Sequence, residues 1–131
     1  MNPTSQNLLS ISDLHVHYGK SHVLHGVDLH IGHNEVVSLL GRNGAGRSTT
    51  MKAVMGLVPP SAGSVQLAGR ELTGLRPYRI SRAGIGFVPE EREVFANLSV
   101  EENLRMGQQA PTDGATAWTV EQMFEFFPRL R

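Results

Sequence analysis

Cysteine is absent from the 131 residues, which excludes disulfides and thiolate metal sites and only weakly favours a cytoplasmic setting. Net charge is absent too. Twelve basic residues balance 12 acidic ones, so the chain lacks the electrostatic footprint of bulk nucleic-acid binding and no nucleic-acid partner is expected. No apolar run approaches the length needed to span a bilayer, and the start, Met1 to Asn7, lacks the basic and apolar regions of a secretory signal. Internal repeats and low-complexity tracts are missing as well. What these absences leave is the size and composition of a single domain of modest length.

The most informative residues present are Gly41-Arg42-Asn43-Gly44-Ala45-Gly46-Arg47-Ser48-Thr49. They match the phosphate-binding pattern G-x-x-x-x-G-K-[ST], except that Arg47 stands where lysine is usual. Gly41, Gly44 and Gly46 carry no Cβ, so the backbone is free to take positive φ and curl its N–H groups around an anion. A helix opening near Arg47 adds unpaired N–H groups and the positive end of its dipole. The Ser48 hydroxyl is suited to ligate Mg²⁺. The preceding Val36-Val37-Ser38-Leu39-Leu40 reads as a strand buried in a parallel sheet, giving the order strand, loop, helix. The competing reading is a glycine-rich turn with a solvated arginine.

Elsewhere, Leu9 to Tyr18 and Val23 to Ile31 read as an antiparallel pair with one wet face, because Val27, Leu29 and Ile31 alternate with Asp28 and His30. The helix after the loop runs to Gly56, and Pro59 to Gly63 breaks it. A short strand is expected at Val65 to Leu67, a turn at Ala68 to Arg70, a small helix at Pro77 to Arg82 and a strand at Ile85 to Val88. Ser99-Val100-Glu101-Glu102 has the form of a capping box and marks a helix start. A polar linker spans Gly107 to Ala117, and Trp118 to Phe127 reads as a final helix, with Trp118 packing. All six histidines, His15, His17, His22, His25, His30 and His33, fall in or beside the first two strands, where a solvated face is favoured over a metal site because nothing fixes a converging ligand geometry. On residue type alone Tyr18 is a strand-end tyrosine and Glu90 a surface glutamate.

Tyr18-Gly19, the Gly41 to Thr49 loop, Gly84-Ile85-Gly86-Phe87-Val88-Pro89-Glu90 and Leu98-Ser99-Val100-Glu101-Glu102-Asn103-Leu104 together resemble, in order, the nucleotide-binding subunit of ATP-binding-cassette (ABC) transporters. Val88-Pro89-Glu90 followed by Arg92, Val94 and Phe95 looks most like the second ATPase subunit of branched-chain amino-acid importers, which carries glutamate where most relatives carry glutamine. The resemblance implies an α/β fold: a partial P-loop NTPase core of the ABC ATPase type with an N-terminal antiparallel β-subdomain. It implies an antiparallel region over 1–35, the P-loop core over 36–93 and the start of a helical subdomain over 94–131. It implies ATP and Mg²⁺ as ligands, with Tyr18 stacking on adenine, the Gly41 to Thr49 loop on the phosphates, and Ser48 and Glu90 near the metal. Implied partners are transmembrane permease subunits, docked through the segment from Val94 onward, and a second ATPase subunit in a head-to-tail dimer. The implied location is cytoplasmic, peripheral on the inner face of the cell membrane.

The Asp-Glu strand, the Leu-Ser-Gly-Gly-Gln signature and the later switch histidine of that family do not occur in these residues. By the resemblance, Arg131 falls just before the signature, so the chain is expected to be the front half of a nucleotide-binding domain, without turnover of its own and of marginal stability. Three functions stay open: the ATP-binding half of an importer ATPase, for branched-chain amino acids or another solute; a non-hydrolysing nucleotide-binding or interfering module; and an unrelated P-loop phosphoryl-transfer enzyme, which the Tyr18-Gly19 and Glu90 contexts disfavour.

Overall fold

The computed structural model describes residues 7–91, 93–110 and 116–131. Expectations for the extreme N-terminus, for Arg92 and for the middle of the Gly107 to Ala117 linker lie outside the described residues. The chain forms two compact units, one ending at Phe87 and the other comprising Val88–Arg131.

The first unit is built on a four-stranded antiparallel sheet in the order β2-β1-β3-β4. Strands β1 (Asn7–Tyr18) and β2 (Ser21–Gly32) form a long hairpin closed at the Tyr18–Ser21 pair. Their ladder breaks register between Ile11 and Leu14, where Asp13 has φ 46. That bulge adds a residue, so Ile11, Leu14 and Val16 are all buried although strict alternation would turn one set outward. Strand β3 (Ala62–Leu67) pairs with the other edge of β1, matching Ile11 with Val65. It turns through Ala68 (φ 47) and Gly69 (φ 78) into the short β4 (Arg70–Glu71), and the two positive φ values suit the right-handed twist of a tight hairpin. The antiparallel region thus extends well past residue 35.

Helix α1 (Arg47–Val54) lays Ala53, Val54 and the following Met55 against the sheet residues Ile11, Leu14, Val16, Leu24 and Val65, with Leu72 and Ile80 completing the core. It ends where Gly56 (φ 68) donates its N–H to Ala53 O at 3.1 Å and Leu57 donates to Lys52 O at 2.9 Å, a paired closure of the last carbonyls. Helix α2 (Pro77–Arg82) starts on proline, where the missing N–H costs no hydrogen bond.

Glu71 staples the β3–β4 corner. It accepts from Ser64 Oγ at 2.6 Å, Gln66 Nε2 at 3.2 Å and the backbone N–H of Thr73 at 3.1 Å. Desolvation works against its charge, but these donors, Ser64 and Thr73 foremost, outweigh it and hold the carboxyl down at about 2.

Two expected strands are not strands. Residues 36–40 have no regular secondary structure and pair with no strand among the described residues. Val37 and Leu39 are partly covered, whereas Val36 is 95% and Leu40 91% exposed. Ile85 to Val88 behaves alike: Ile85 and Phe87 pack on the core and Val88 is 92% exposed. The apolar run identifies a segment suited to two-sided burial, but the ladder requires neighbouring strands, and the four strands described are antiparallel and sit elsewhere.

In the second unit, α3 (Val100–Gly107) opens with the expected capping box. Glu102 N–H donates to Ser99 Oγ at 3.2 Å, and Ser99 N–H donates to Glu102 Oε2 at 2.7 Å. That backbone N–H, with the Ser99 hydroxyl, lowers the Glu102 carboxyl pKa. Asn103 ties the preceding turn to the helix by accepting from Phe95 N–H at 2.9 Å and donating to the carbonyls of Phe95, Leu98 and Ser99. Helix α4 (Val120–Phe126) is shorter than expected because Thr119 caps it, with Gln122 reciprocating. Val120 is buried, Met123 and Phe124 half-buried and Phe127 exposed. Trp118, 58% exposed, meets Phe126 edge to face at 5.3 Å.

Candidate phosphate-binding site

Between residues 36–40 and α1, the chain makes the loop Gly41 to Gly46. Ala45 N–H donates to Arg42 O at 3.0 Å, which folds the loop back on itself. Gly44 (φ 84) and Gly46 (φ 88) occupy the left-handed region, as the motif requires. Gly41 does not: its need for glycine is spatial, since a Cβ there would lie 3.0 Å from Ala45 Cβ. Gly46 serves a double purpose, because a Cβ on it would also lie 2.5 Å from Leu24 Cδ2. The loop therefore rests directly on β2.

Gly46 is the N-cap of α1, and no side chain caps the helix. The first backbone bond into the helix is Thr50 N–H to Gly46 O at 2.8 Å, so the N–H groups of Arg47, Ser48 and Thr49 precede the helical ladder. No acidic residue sits in this first turn. A helix N-terminus without its own carboxylate, fronted by two left-handed glycines, presents concentrated N–H donors and positive potential to an anion. Thr50 is the buried counterpart of this exposed rim: it is 4% exposed, and its Oγ1 donates to Gly46 O at 2.9 Å, locking the loop's end to the helix.

Arg42, Asn43, Gly44, Ala45, Arg47 and Ser48 are exposed, and Thr49 is half-buried. Arg47 reaches back across the loop, its Nη2 donating to Asn43 Oδ1 at 3.5 Å, a long bond. The guanidinium is thus held beside the loop with most of its donors uncommitted. These observations fit a phosphate chain: the donors are backbone N–H groups, the charge is positive, and Ser48 supplies a hard hydroxyl oxygen of the kind Mg²⁺ takes.

Tyr18, 47% exposed, ends β1 at the tip of the hairpin. Its strand pairs Val16 with Leu24, the residue that underlies Gly46, so the tyrosine and the loop share one end of the sheet. Glu90 is exposed and belongs to the second unit, whereas the loop belongs to the first. The histidines do not converge on a metal geometry: no group of three or more His, Cys, Asp or Glu suited to a metal occurs among the described residues.

Two supports of the loop were not singled out in the sequence. Leu24 and Thr50 carry no chemistry of their own and act through packing and one hydrogen bond. Thr50 had a local signal, since it stands four residues from Gly46 in the first helical turn. Leu24 had none, because its contact spans the fold.

A glycine-rich loop of the phosphate-binding pattern, opening a helix with left-handed glycines, is the feature shared by P-loop proteins. The chain belongs to the ABC transporter family, whose model matches residues 24–129. It is 39% identical over 124 residues to the high-affinity branched-chain amino acid transport ATP-binding protein BraG of Pseudomonas aeruginosa, covering 95% of this chain and 53% of that protein. The probable branched-chain amino acid transport ATP-binding protein LivF of Archaeoglobus fulgidus is 35% identical, over 95% of this chain and 52% of its own. The lipopolysaccharide export system ATP-binding protein LptB of Haemophilus influenzae is 37% identical over 75% of this chain and 41% of its own. Among solved structures, an ATP-binding subunit of an ABC transporter superposes with a TM-score of 0.67 at 35% identity, over 76% of this chain and 40% of that one. The chain spans about half the length of BraG and LivF. The fold is α/β, a partial ABC-type P-loop NTPase core with an N-terminal antiparallel β-subdomain.

Proposed function

We propose that these residues bind ATP as the front half of the nucleotide site of an ABC importer ATPase, and that the solute imported is a branched-chain amino acid. The single observation that carries the binding is the loop itself: left-handed Gly44 and Gly46 leading into a helix N-terminus that holds no carboxylate. The solute follows from similarity to BraG and LivF over 95% of the chain; ribose-import and lipopolysaccharide-export relatives match over shorter spans.

Gly41, Arg42, Asn43, Gly44, Ala45, Gly46, Arg47, Ser48 and Thr49 would surround the phosphates with N–H groups and one guanidinium, Ser48 would hold Mg²⁺, and Tyr18 would cover the adenine. Glu90 would stand near the metal and the attacking water in the assembled site. Bound Mg²⁺-ATP supplies the transferable phosphoryl group and the charge that neutralises it. Arg47 keeps the cation but replaces a compact ammonium with a planar fork, which binds two oxygens at once and differs from lysine in its contact to the terminal phosphate. Hydrolysis would further require a general base on an Asp-Glu strand and a signature loop, neither of which occurs in these 131 residues. Permease subunits, a second ATPase subunit arranged head to tail and a position on the cytoplasmic face of the membrane complete this reading.

A second reading is a non-hydrolysing nucleotide-binding or interfering module, in which the same loop binds ATP. Both readings require ATP to bind, and neither gives these 131 residues turnover of their own. Titration of the chain with Mg²⁺-ATP tests that common requirement: saturable binding is expected, and phosphate release dependent on the chain alone would contradict the assignment of hydrolysis to residues outside it. Failure to bind would reject both.

A further inference from the structure

Four of the six histidines gather on the wet face of the β1–β2 hairpin, between its tip and the bulge at Asp13. His15 Nδ1 and His22 Nε2 lie 3.0 Å apart, and His15 Nε2 lies 2.9 Å from Asp13 Oδ1. His22 stacks on His17 at 4.1 Å with 7° between the planes, and lies tilted by 43° against His25 with centroids 3.8 Å apart. From the β3 side, Ser61 Oγ meets His17 Nδ1 at 2.9 Å, and from β2 Asp28 accepts from the backbone N–H of Asp13 at 2.8 Å. Gly26 has φ 75, and a Cβ there would lie 2.8 Å from Asp13 Oδ1 and 3.3 Å from His15 Nε2. The absence of a side chain at Gly26 makes room for the Asp13–His15 pair.

The hydrogen-bond chain has a definite proton capacity. A carboxylate only accepts, so Asp13 fixes one His15 proton on Nε2 and leaves Nδ1 as the acceptor for His22 Nε2–H. One added proton can be taken by His15, with Asp13 as counter-ion, if His22 switches tautomer and accepts. A second added proton puts N–H against N–H across the 3.0 Å gap and charges both rings, whose centroids lie 5.1 Å apart. Desolvation, then the neighbouring His25, His17 and His15, lower the pKa of His22 from its ordinary 6.5, against a smaller opposing contribution at the Leu24 backbone. His22 therefore binds a proton less readily in the folded hairpin than in an opened one, so its contribution to stability is full above 6.5 and is lost as the pH drops below that value.

We propose that Asp13, His15, His17, His22 and His25 form an acid-sensitive latch that holds the tip of the β1–β2 hairpin closed when the imidazoles are neutral and releases it when they charge. The latch adjoins the candidate nucleotide site. His17 immediately precedes Tyr18, and Leu24, two residues beyond His22, is the bed of the loop at Gly46. Resting on the ATP reading above, release would lower ATP affinity in acid without any change in the loop residues themselves.

The test has two arms on the same 131-residue chain. In the first, hydrogen-exchange protection factors for the amides from Val16 to Leu24 are followed from about pH 8 to about pH 5.5, across the histidine range, in the wild type, H22Q and D13N. Protection is expected to fall by about tenfold per pH unit for each extra proton the open form binds, with H22Q flattening the fall and D13N, which removes the counter-ion from the closed form, steepening it. Equal slopes in wild type and H22Q would overturn the latch. In the second arm, the ratio of ATP affinities at the two pH values is compared between wild type and H22Q, which cancels the titration of ATP itself. A smaller ratio in H22Q supports the coupling, and identical ratios refute it. Absence of ATP binding at either pH would overturn the nucleotide reading and the coupling, while the protection arm alone would still decide the latch.

Discussion

Gly44 and Gly46 offer a controlled comparison, because they have nearly the same backbone conformation and different surroundings. Their φ values are 84 and 88, so replacement by alanine places an L side chain in the left-handed region at either site, at about 1–2 kcal/mol. At Gly44 no atom lies within 4 Å of the new Cβ, and that conformational cost is the whole effect. At Gly46 the Cβ would lie 2.5 Å from Leu24 Cδ2, well inside the ~3.5–4.0 Å at which carbons attract. Leu24 is 2% exposed and has no free direction in which to retreat, so overpacking adds about 1–3 kcal/mol. Gly44→Ala should therefore destabilise the first unit by ~1–2 kcal/mol and Gly46→Ala by ~2–5 kcal/mol. Urea unfolding monitored by far-ultraviolet circular dichroism measures both. A Leu24→Ala background should recover the excess at Gly46 and leave Gly44→Ala unchanged. Equal destabilisation in the two single variants, or no recovery in the Leu24→Ala background, would refute the claim that the loop is seated on β2.

Three further outcomes follow from local geometry. Glu71→Gln should remove the acid dependence that Glu71 contributes: its carboxyl is depressed from 4.5 to about 2, so the wild type loses that stabilisation as the pH falls from the ordinary carboxylate range through 2, and the variant should show a flatter acid-unfolding curve. Ser99→Ala should cost α3 about 0.5–2 kcal/mol by leaving its first turn uncapped, seen as lost helical chemical shifts from Val100 to Leu104; unchanged shifts would contradict the capping role. Arg47→Lys should retain ATP binding and alter the ratio of ATP to ADP affinity, because the substitution changes the fork that faces the terminal phosphate; an unchanged ratio would rule out a distinct contribution from the arginine.

The loop, the long hairpin, α1, α2 and the α3 capping box were legible in the sequence because each is specified by residues a few positions apart: glycines at fixed spacing, alternating apolar residues, a proline at the first helical turn, a Ser and Glu three apart. Residues 36–40 and 85–88 were legible only in part. Their apolar runs show what they are suited to, but a strand is a relation between segments, and the described residues supply no neighbour for either. Leu24 beneath Gly46 and the staple at Glu71 escaped for the same reason. The first is a contact across 22 positions, read as 46 minus 24, and the second depends on how a hairpin brings Ser64, Gln66 and Thr73 to one carboxylate. The histidines were visible as a cluster, but their pairing became visible only when the bulge at Asp13 set which rings face one another.

Competition calorimetry on the loop tests the nucleotide reading most directly: Mg²⁺-ATP is titrated into the chain alone, then in the presence of adenosine or of inorganic tripolyphosphate. If Gly41 to Thr49 carries the binding, ATP saturates a single site, tripolyphosphate displaces it and adenosine alone binds far more weakly. If tripolyphosphate fails to compete, or adenosine binds as tightly as ATP, the loop is not what holds the nucleotide.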